Sequence, residues 1–267
     1  MSGRNAERGY SPAWRQFTKI ILPPLIHALM RQKVRGRQPL PPEGGLIIAP
    51  NHLSYADWLA IALFTHQSGR YPVFLIKSGV FGVKFIGSFL RKLGQLPVYR
   101  TQADAALVLR DAERDLRRGA CVIVYPEGTA SRDPDQWPMV ARTGVARLAL
   151  ATGAPVIPVA HWGAQDVLPY GEKKPRLFPR KTAQIISGPP VDLSQFEGQP
   201  LNRDTLRAAT AAIMADVTRL LAGLREQEPP AVPYDPAAAR RAAAKAEGAP
   251  AAEAAHDADE AEKGMTG

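Results

Sequence analysis

Between residues 44 and 187, short apolar runs bounded by glycine or proline alternate with longer segments of helical period. The runs consist almost entirely of residue types found in buried strands, and this alternation predicts an α/β domain. The predicted strands are 46–49, 73–76, 96–99, 121–125, 156–160 and 183–187, and the predicted helices are 55–65, 80–90, 103–118, 145–152 and 203–224. We therefore expect a single α/β domain with a mixed, mostly parallel sheet flanked by helices.

A histidine and a carboxylate follow the first predicted strand. His52 lies in the turn after Pro50, and Asp57 lies five positions further along. If the next helix begins at Ser54, the imidazole can fold back over its first turn and reach the carboxylate. That pairing is typical of a general base and the group that orients it. The alternative is a helix cap, because Ser54 and Asp57 also form a capping-box pattern.

Two further predicted strands end in residues that suit a binding site. Glu127, Gly128 and Thr129 follow the fourth strand, and Arg100 follows the third. The carboxyl ends of strands are where open α/β sheets bind ligands, and arginine is the side chain best shaped for a phosphate. Taken one at a time, these residues also fit a solvated carboxylate, a turn glycine and a solvated cation.

In this order, the segments resemble the motifs of the 1-acylglycerol-3-phosphate O-acyltransferase family, over about residues 35–190. The family's Asn-His-x-x-x-x-Asp motif falls on residues 51–57, and its second motif, which ends in a substrate-binding arginine, falls on 94–100. Its Pro-Glu-Gly-Thr motif falls on 126–129. Its fourth motif, an apolar strand containing a proline, falls on 153–158.

The resemblance implies a reaction and the roles of several residues. His52 would take the proton of an acceptor hydroxyl as this hydroxyl attacks a thioester, while Asp57 holds the imidazole. Glu127 and Thr129 would orient the glycerol part of the acceptor, and backbone amides around Gly128 would donate to the oxyanion. The fatty acyl group would pass from acyl-CoA or acyl carrier protein to the sn-2 hydroxyl of 1-acylglycerol 3-phosphate (lysophosphatidic acid), giving phosphatidic acid for phospholipid biosynthesis. No metal and no cofactor are expected.

The resemblance also implies a site for the acceptor's phosphate, formed by Arg100 together with other cations. The family usually has an arginine directly after Thr129, but Ala130 stands there in this chain. Arg132, two places later, is the expected substitute. Lys77, after the second predicted strand, is a further candidate.

The charge of the chain limits the classes of partner that it can be expected to bind. The net charge is +9 at pH 7, and from Pro229 onward four basic and seven acidic residues give −3, so the rest of the chain carries +12. An anionic membrane, a phosphorylated small molecule or nucleic acid would each satisfy this charge. Nucleic acid is not expected as a partner, because the sequence has no basic stripe with interleaved aromatic residues.

Residues 1–40 combine a net charge of +7 with an apolar segment at 20–30. A spanning helix needs roughly 20 apolar residues, and Pro23 and Pro24 interrupt this segment. We predict an N-terminal amphipathic segment, broken near the prolines, that associates with an anionic membrane surface. The alternative is an ordinary amphipathic element packed on the domain. The expected location is the cytoplasmic face of the cell membrane, as a peripheral (monotopic) protein.

The remaining chain divides into the predicted acyltransferase domain, residues 41–226, and a tail, residues 227–267. From Pro229 onward the tail is rich in alanine, proline and charged residues, and Tyr234 is its only aromatic residue. Such a composition does not offset the entropy lost on ordering, so we predict a disordered tail.

Three phenylalanines in the predicted helix 80–90 follow one another at four-residue spacing: Phe81, Phe85 and Phe89. This stripe predicts either a face of the core or part of a groove for an acyl chain.

Other functions are also compatible with the sequence. The same chemistry could act on glycerol 3-phosphate or on another lysolipid, and a panel of acceptors would separate these substrates. A peripheral membrane protein without catalysis, in which His52 and Asp57 only cap a helix, would show no thioester-dependent acyl transfer.

Overall fold

The computed structural model describes residues 11–36, 38–98, 102–172 and 174–246. Its helices and strands are α1 (Pro12–Leu29), β1 (Met30–Gly36), β2 (Leu46–Pro50), α2 (Asp57–Gln67), β3 (Pro72–Lys77), α3 (Ser78–Gly82), α4 (Ile86–Lys92), β4 (Leu96–Val98), α5 (Gln102–Arg117), β5 (Cys121–Ile123), α6 (Gly144–Thr152), β6 (Val156–Trp162), β7 (Lys181–Ser187), α7 (Arg203–Arg225) and α8 (Pro236–Ala246). Each of the six predicted strands is present, as β2 to β7.

The seven strands form one sheet in the order β1-β7-β6-β2-β5-β3-β4. β7 runs antiparallel to β6, and the other neighbouring pairs are parallel. The predicted single α/β domain with a mixed, mostly parallel sheet is therefore confirmed. Because β2, β3, β4, β5 and β6 share one direction, their carboxyl ends lie at one edge of the sheet.

The edge strand β1 was not predicted, since its residues belong to the segment assigned to the membrane. Its residues alternate between inward and exposed positions, and the exposed ones include Arg31, Lys33 and Arg35. Charged side chains suit a sheet edge because they oppose pairing with another chain. The sheet therefore begins at Met30, which pairs with Lys181, inside the segment 1–40.

Helices cover both faces of the sheet. Leu46 and Ile48 of β2 face α2, whereas Ile47 and Ala49 face α5, α6 and α7. α2 lies between the sheet and α1, and its residues from 59 to 65 are all buried. Burial of each large aliphatic side chain contributes about 1.5–3 kcal/mol, which anchors α2 and the carboxylate at its first position.

α1 runs through Pro23 and Pro24 as one helix, so the predicted break at these prolines is wrong. Their missing N–H groups leave two helical hydrogen bonds unmade. Thr18 and Ile26, on either side of the prolines, are buried, and Ile26 packs in the core with α2. No helix in the described ranges is long and apolar enough to cross a membrane.

The predicted helix 80–90 is two short helices, α3 and α4, joined by residues 83–85. Phe85 has φ +70°, which ends the helical path between them. Phe81 is buried, whereas Phe85 and Phe89 are exposed. The three rings therefore do not form the predicted single stripe, because the chain turns between them.

Gly87 lets α3 and α4 pack closely, since a Cβ at this position would lie 1.8 Å from the carbonyl oxygen of Phe81. Gly87→Ala is expected to destabilise the protein by roughly 1–3 kcal/mol through overpacking. The melting temperature should fall by about 2–4 °C for each kcal/mol, as measured by calorimetry. The matched control is Gly82→Ala, where a Cβ would meet nothing within 4 Å. Equal melting temperatures for the two variants would contradict the close packing.

The C-terminal segment differs in part from the predicted disorder. Residues 227–246 are described, the Val140 N–H donates to the Tyr234 carbonyl at 2.9 Å, and Pro236–Ala246 is helical. Alanine and arginine are strong helix formers, which outweighs the low apolar content there. Residues 247–267 lie outside the described residues.

Candidate active site

The predicted motifs follow parallel strands and so meet at one edge of the sheet. Because β2 and β5 are neighbours, the turns that follow them contact each other. The His52 N–H donates to Glu127 Oε1 at 2.8 Å, and the Ser131 N–H donates to the His52 carbonyl at 2.7 Å. Lys77 ends β3, one strand beyond β5. Arg100 lies outside the described residues.

The predicted contact between His52 and Asp57 is present. His52 Nδ1 lies 2.9 Å from Asp57 Oδ2, and the same oxygen accepts the N–H groups of Leu53 and Ser54 at 2.6 and 2.9 Å. The Asp57 side chain is 0% exposed and that of His52 is 14% exposed. With a carboxylate at Nδ1, the proton of the neutral ring stays there and the lone pair lies on Nε2, which can accept a proton.

Ser54 does not have the predicted role of N-cap. α2 begins at Asp57, and its N-cap is Ala56, which makes no side-chain capping bond. Ser54 Oγ accepts the Ala56 N–H at 2.9 Å and donates to the Leu168 carbonyl. The carboxylate of Asp57 does bond the Ser54 N–H, as in a capping box, but it bonds the imidazole with the same oxygen.

A second histidine, which no motif in the sequence indicates, lies behind this pair. The His161 side chain is fully buried, with Nε2 2.9 Å from the Asn51 carbonyl and 3.4 Å from Asp57 Oδ2. The Asn51 side chain exchanges two hydrogen bonds with the His161 backbone. Burial raises the pKa of Asp57, but His161 and His52 outweigh that effect and hold the pKa of this carboxyl well below its ordinary value. Asp57 is therefore ionised at neutral pH.

Glu127 is 4% exposed, and both of its carboxylate oxygens are used inside the protein. Besides the bond from His52, Oε2 accepts the Met139 N–H at 2.9 Å. Burial raises the pKa of Glu127 to about 8, although the two backbone hydrogen bonds lower it. These contacts position the turn that carries His52, and a contact of Glu127 with the glycerol part of an acceptor stays a prediction.

The turn at Gly128 is fixed by backbone hydrogen bonds and by the side chain of Arg142. Gly128 has φ +73°, and its own N–H donates to the Tyr125 carbonyl at 3.1 Å, so an oxyanion donor would be another of the amides around it. A Cβ on Gly128 would lie 2.9 Å from Arg142 Nε, so that side chain lies against the glycine. The Arg142 N–H also donates to the Pro126 carbonyl at 2.8 Å. The sequence carries no local signal for Arg142, which lies fourteen positions after Gly128.

The other predicted binding residues lie around the same turns. Thr129 is half-buried and Ala130 fully buried. Arg132 is half-buried, and its Nε has no hydrogen-bond partner among the residues that the structure describes. Lys77 is exposed at the end of β3. The site thus holds His52, Asp57 and the 126–129 turn together.

The arrangement can abstract a proton, and neither Ser54 nor Cys121, the two described side chains considered as nucleophiles, is prepared to attack. The Ser54 hydroxyl donates its hydrogen bond to the Leu168 carbonyl, and the Cys121 thiol is buried in the core. Within 11–36, 38–98, 102–172 and 174–246, no group of His, Cys, Asp and Glu side chains could hold a metal ion. An oriented imidazole beside an exposed loop suits deprotonation of a bound hydroxyl.

Comparisons with known proteins show what this chain is similar to. Residues 31–162 match the family model described as Acyltransferase. A 1-acyl-sn-glycerol-3-phosphate acyltransferase of Bacillus subtilis is 27% identical over 190 residues, 70% of this chain and 87% of that protein. The chloroplastic enzyme BAT2 of Brassica napus is 27% identical over 151 residues, 55% of this chain but only 42% of its own length.

The fold has a solved counterpart. The crystal structure of the 1-acyl-sn-glycerophosphate (LPA) acyltransferase PlsC from Thermotoga maritima superposes with a TM-score of 0.62 and covers 86% of each chain. The sequence identity is 23%, so this likeness shows the fold.

Proposed function

Because this chain is an acyltransferase whose family domain spans residues 31–162, we propose that it acylates the sn-2 hydroxyl of 1-acylglycerol 3-phosphate and so makes phosphatidic acid. The acyl donor is the thioester of acyl-CoA or of acyl carrier protein. The observation that carries the proposal is the 2.9 Å contact of His52 Nδ1 with the buried Asp57, which leaves Nε2 as the base. The relatives named above carry this activity in their names.

The reaction proceeds by direct transfer. His52 Nε2 takes the proton of the acceptor hydroxyl while the oxygen attacks the thioester carbonyl, giving a tetrahedral oxyanion. When the C–S bond breaks, the carbonyl re-forms as an ester, and the imidazolium returns its proton to the thiolate. Ionised Asp57 stabilises the imidazolium between these two steps.

The oxyanion needs donors near the 126–129 turn. The Gly128 N–H is used by Tyr125, so the Thr129 N–H, which has no acceptor within the described part of the chain, takes this role. One such preorganised donor is typically worth about 2.7–4 kcal/mol of transition-state stabilisation. Glu127 keeps the turn against His52.

We assign the acceptor's phosphate to Arg100, Arg132 and Lys77, joined by Arg142. In the acceptor, one carbon and one ester oxygen separate phosphorus from the carbon that bears the reacting hydroxyl. The phosphate therefore lies close to His52, and the Arg142 N–H is bonded to Pro126, next to Glu127, which accepts the His52 N–H.

Arg142→Ala and Arg100→Ala are expected to raise the KM for lysophosphatidic acid by roughly tenfold or more, and the KM for the acyl donor far less. The reason is that a charge-assisted bond of about 1.5–3 kcal/mol is lost from one substrate only. Arg132→Ala should behave similarly. Steady-state kinetics with each substrate varied in turn measure the effect.

The matched control is Arg147→Ala, since Arg147 is an exposed arginine of α6 in the same part of the chain. This variant should keep both KM values. Equal increases for acceptor and donor would show that the arginines serve folding instead of phosphate recognition.

The proposal as a whole is tested with purified protein, by crossing acyl-CoA and acyl carrier protein donors with lysophosphatidic acid and glycerol 3-phosphate. We expect transfer to lysophosphatidic acid. Preferred transfer to glycerol 3-phosphate would show that glycerol 3-phosphate is the acceptor. If no pair gave thioester-dependent transfer, the protein would be a membrane protein without catalysis.

We place the enzyme at the cytoplasmic face of the cell membrane, as a peripheral protein on anionic lipid.

A further inference from the structure

Two segments far apart in sequence expose large apolar side chains side by side. On α1 the outward residues are Trp14, Phe17, Ile20, Ile21 and Leu25, and on α3, α4 and their connection they are Val80, Val83, Phe85, Ile86 and Phe89. We call these ten residues the apolar platform. Soluble proteins rarely leave so many large apolar residues together in water, and such a patch marks an interaction surface.

The two halves of the platform are joined. Trp14 packs edge-on against Phe89, with ring centroids 5.6 Å apart. The Ser11 N–H donates to the Lys92 carbonyl at 3.1 Å, and Arg15 Nε donates to the Leu93 carbonyl at 3.4 Å. The start of α1 is thus attached to the end of α4, and the platform is one surface.

The charge around the platform points to an anionic partner. Residues 11–36 and 78–98 contain no aspartate or glutamate, whereas Lys19, Lys84 and Lys92 are exposed within them. Lys84 Nζ lies 5.6 Å from the centre of the Phe85 ring, and Lys92 Nζ lies 5.7 Å from that of Trp14. Apolar side chains with cations at their sides match the interface of an anionic bilayer.

Phe85 is the most unusual member of the platform. Its backbone has φ +70° and ψ −45°, a conformation that costs a non-glycine residue of order 1–3 kcal/mol, and its side chain is 78% exposed. Folding therefore gains nothing from a phenylalanine at this position. A strained and exposed aromatic side chain at the turn between α3 and α4 is explained by burial in something outside the protein.

The platform also has a suitable position relative to the site. α3 begins directly after Lys77, at the carboxyl end of β3, and this is the edge of the sheet that carries His52. A bilayer in contact with residues 78–92 would therefore adjoin the site where a lipid acceptor reacts.

We propose that the apolar platform docks the protein on an anionic lipid bilayer, with Phe85 inserted at its tip, so that the α3–α4 turn is a membrane contact in addition to α1. The proposal rests on the proposed function in one respect, because acylation of a lipid explains why docking would be useful. Binding to the bilayer itself does not depend on catalysis.

The test is flotation with vesicles of phosphatidylcholine and phosphatidylglycerol in about equal parts, and the variant is Phe85→Gly. Glycine adopts positive φ without strain, so the variant should melt at the wild-type temperature or above it. Its vesicle binding should be about tenfold weaker, because a large apolar side chain no longer inserts. Val232→Gly is the matched control, since Val232 is 77% exposed in the C-terminal segment; this variant should float like the wild type.

A charge variant tests the second part of the surface. Lys84→Glu should bind less to vesicles that contain phosphatidylglycerol, and the difference from wild type should shrink at high salt. Wild-type flotation by a folded Phe85→Gly variant would overturn the proposal. Failure of the wild-type protein to bind these vesicles would also overturn it, in favour of a protein partner.

Activity separates this proposal from the proposed function. With a short-chain, water-soluble lysophosphatidic acid, Phe85→Gly should turn over like the wild type, whereas with the acceptor in vesicles it should be slower. Weaker binding by Phe85→Gly in a protein that acylates no acceptor would support docking while the proposed function fails. Equal losses on soluble and vesicle-bound acceptor would assign Phe85 to the acyl-chain site and overturn the docking role.

Discussion

Replacing His52 by alanine is expected to lower the turnover number by at least about a hundredfold while the protein stays folded. The imidazole is the base that takes the acceptor proton, and general-base catalysis contributes roughly 10²–10⁴-fold. The side chain is partly exposed, and its main polar bond is to Asp57. Its loss therefore affects the reaction more than the core. The KM values for both substrates should change little, because the base does not hold either substrate in the ground state.

The matched control is His66→Ala, since His66 lies at the other end of α2, away from the site. This variant should keep its activity. Added imidazole is expected to restore part of the activity of His52→Ala and none to the control. Near-normal turnover by a folded His52→Ala protein would contradict the assignment of His52 as the base. It would favour the interpretation that His52 and Asp57 only cap a helix.

Asp57→Asn is expected to lower turnover by a similar factor, about a hundredfold or more, for a different reason. Asparagine can still accept one hydrogen bond, but it has no charge to stabilise the imidazolium and can turn its NH₂ toward His52. Because the pKa of Asp57 is held below its ordinary value, the wild-type carboxylate carries its charge at every pH where the enzyme would be assayed. The loss should therefore persist across neutral pH.

Ser54→Ala separates this effect from a change in the turn itself. It removes the hydroxyl that bonds Ala56 and Leu168 but leaves the Ser54 N–H that donates to Asp57. We expect turnover within a few-fold of wild type. If Ser54→Ala lost as much activity as Asp57→Asn at equal stability, the carboxylate would be acting through the shape of the turn.

Local patterns in the sequence determined the class of fold and the centre of the site. Apolar runs bounded by glycine and proline predicted β2 to β7, because buried strands need such residues whatever surrounds them. The contact between His52 and Asp57 was predicted because the two residues are five positions apart across one turn, which limits how far apart their side chains can lie. Predictions were wrong where a pattern is compatible with more than one structure. The three phenylalanines of the predicted helix 80–90 lie on two helices and the turn between them, and the basic segment after α1 is the edge strand β1.

Only the tertiary structure decided what surrounds that centre. His161 reaches Asp57 from β6, Glu127 reaches His52 from the turn after β5, and Arg142 lies against Gly128. Each contact joins residues that are far apart in sequence, and the order of strands in the sheet sets which of them meet. The exposed face of α1 likewise became part of one surface with Phe85 only through the contact of Trp14 with Phe89. A sequence pattern reports spacing along the chain, whereas these distances depend on how separate elements pack.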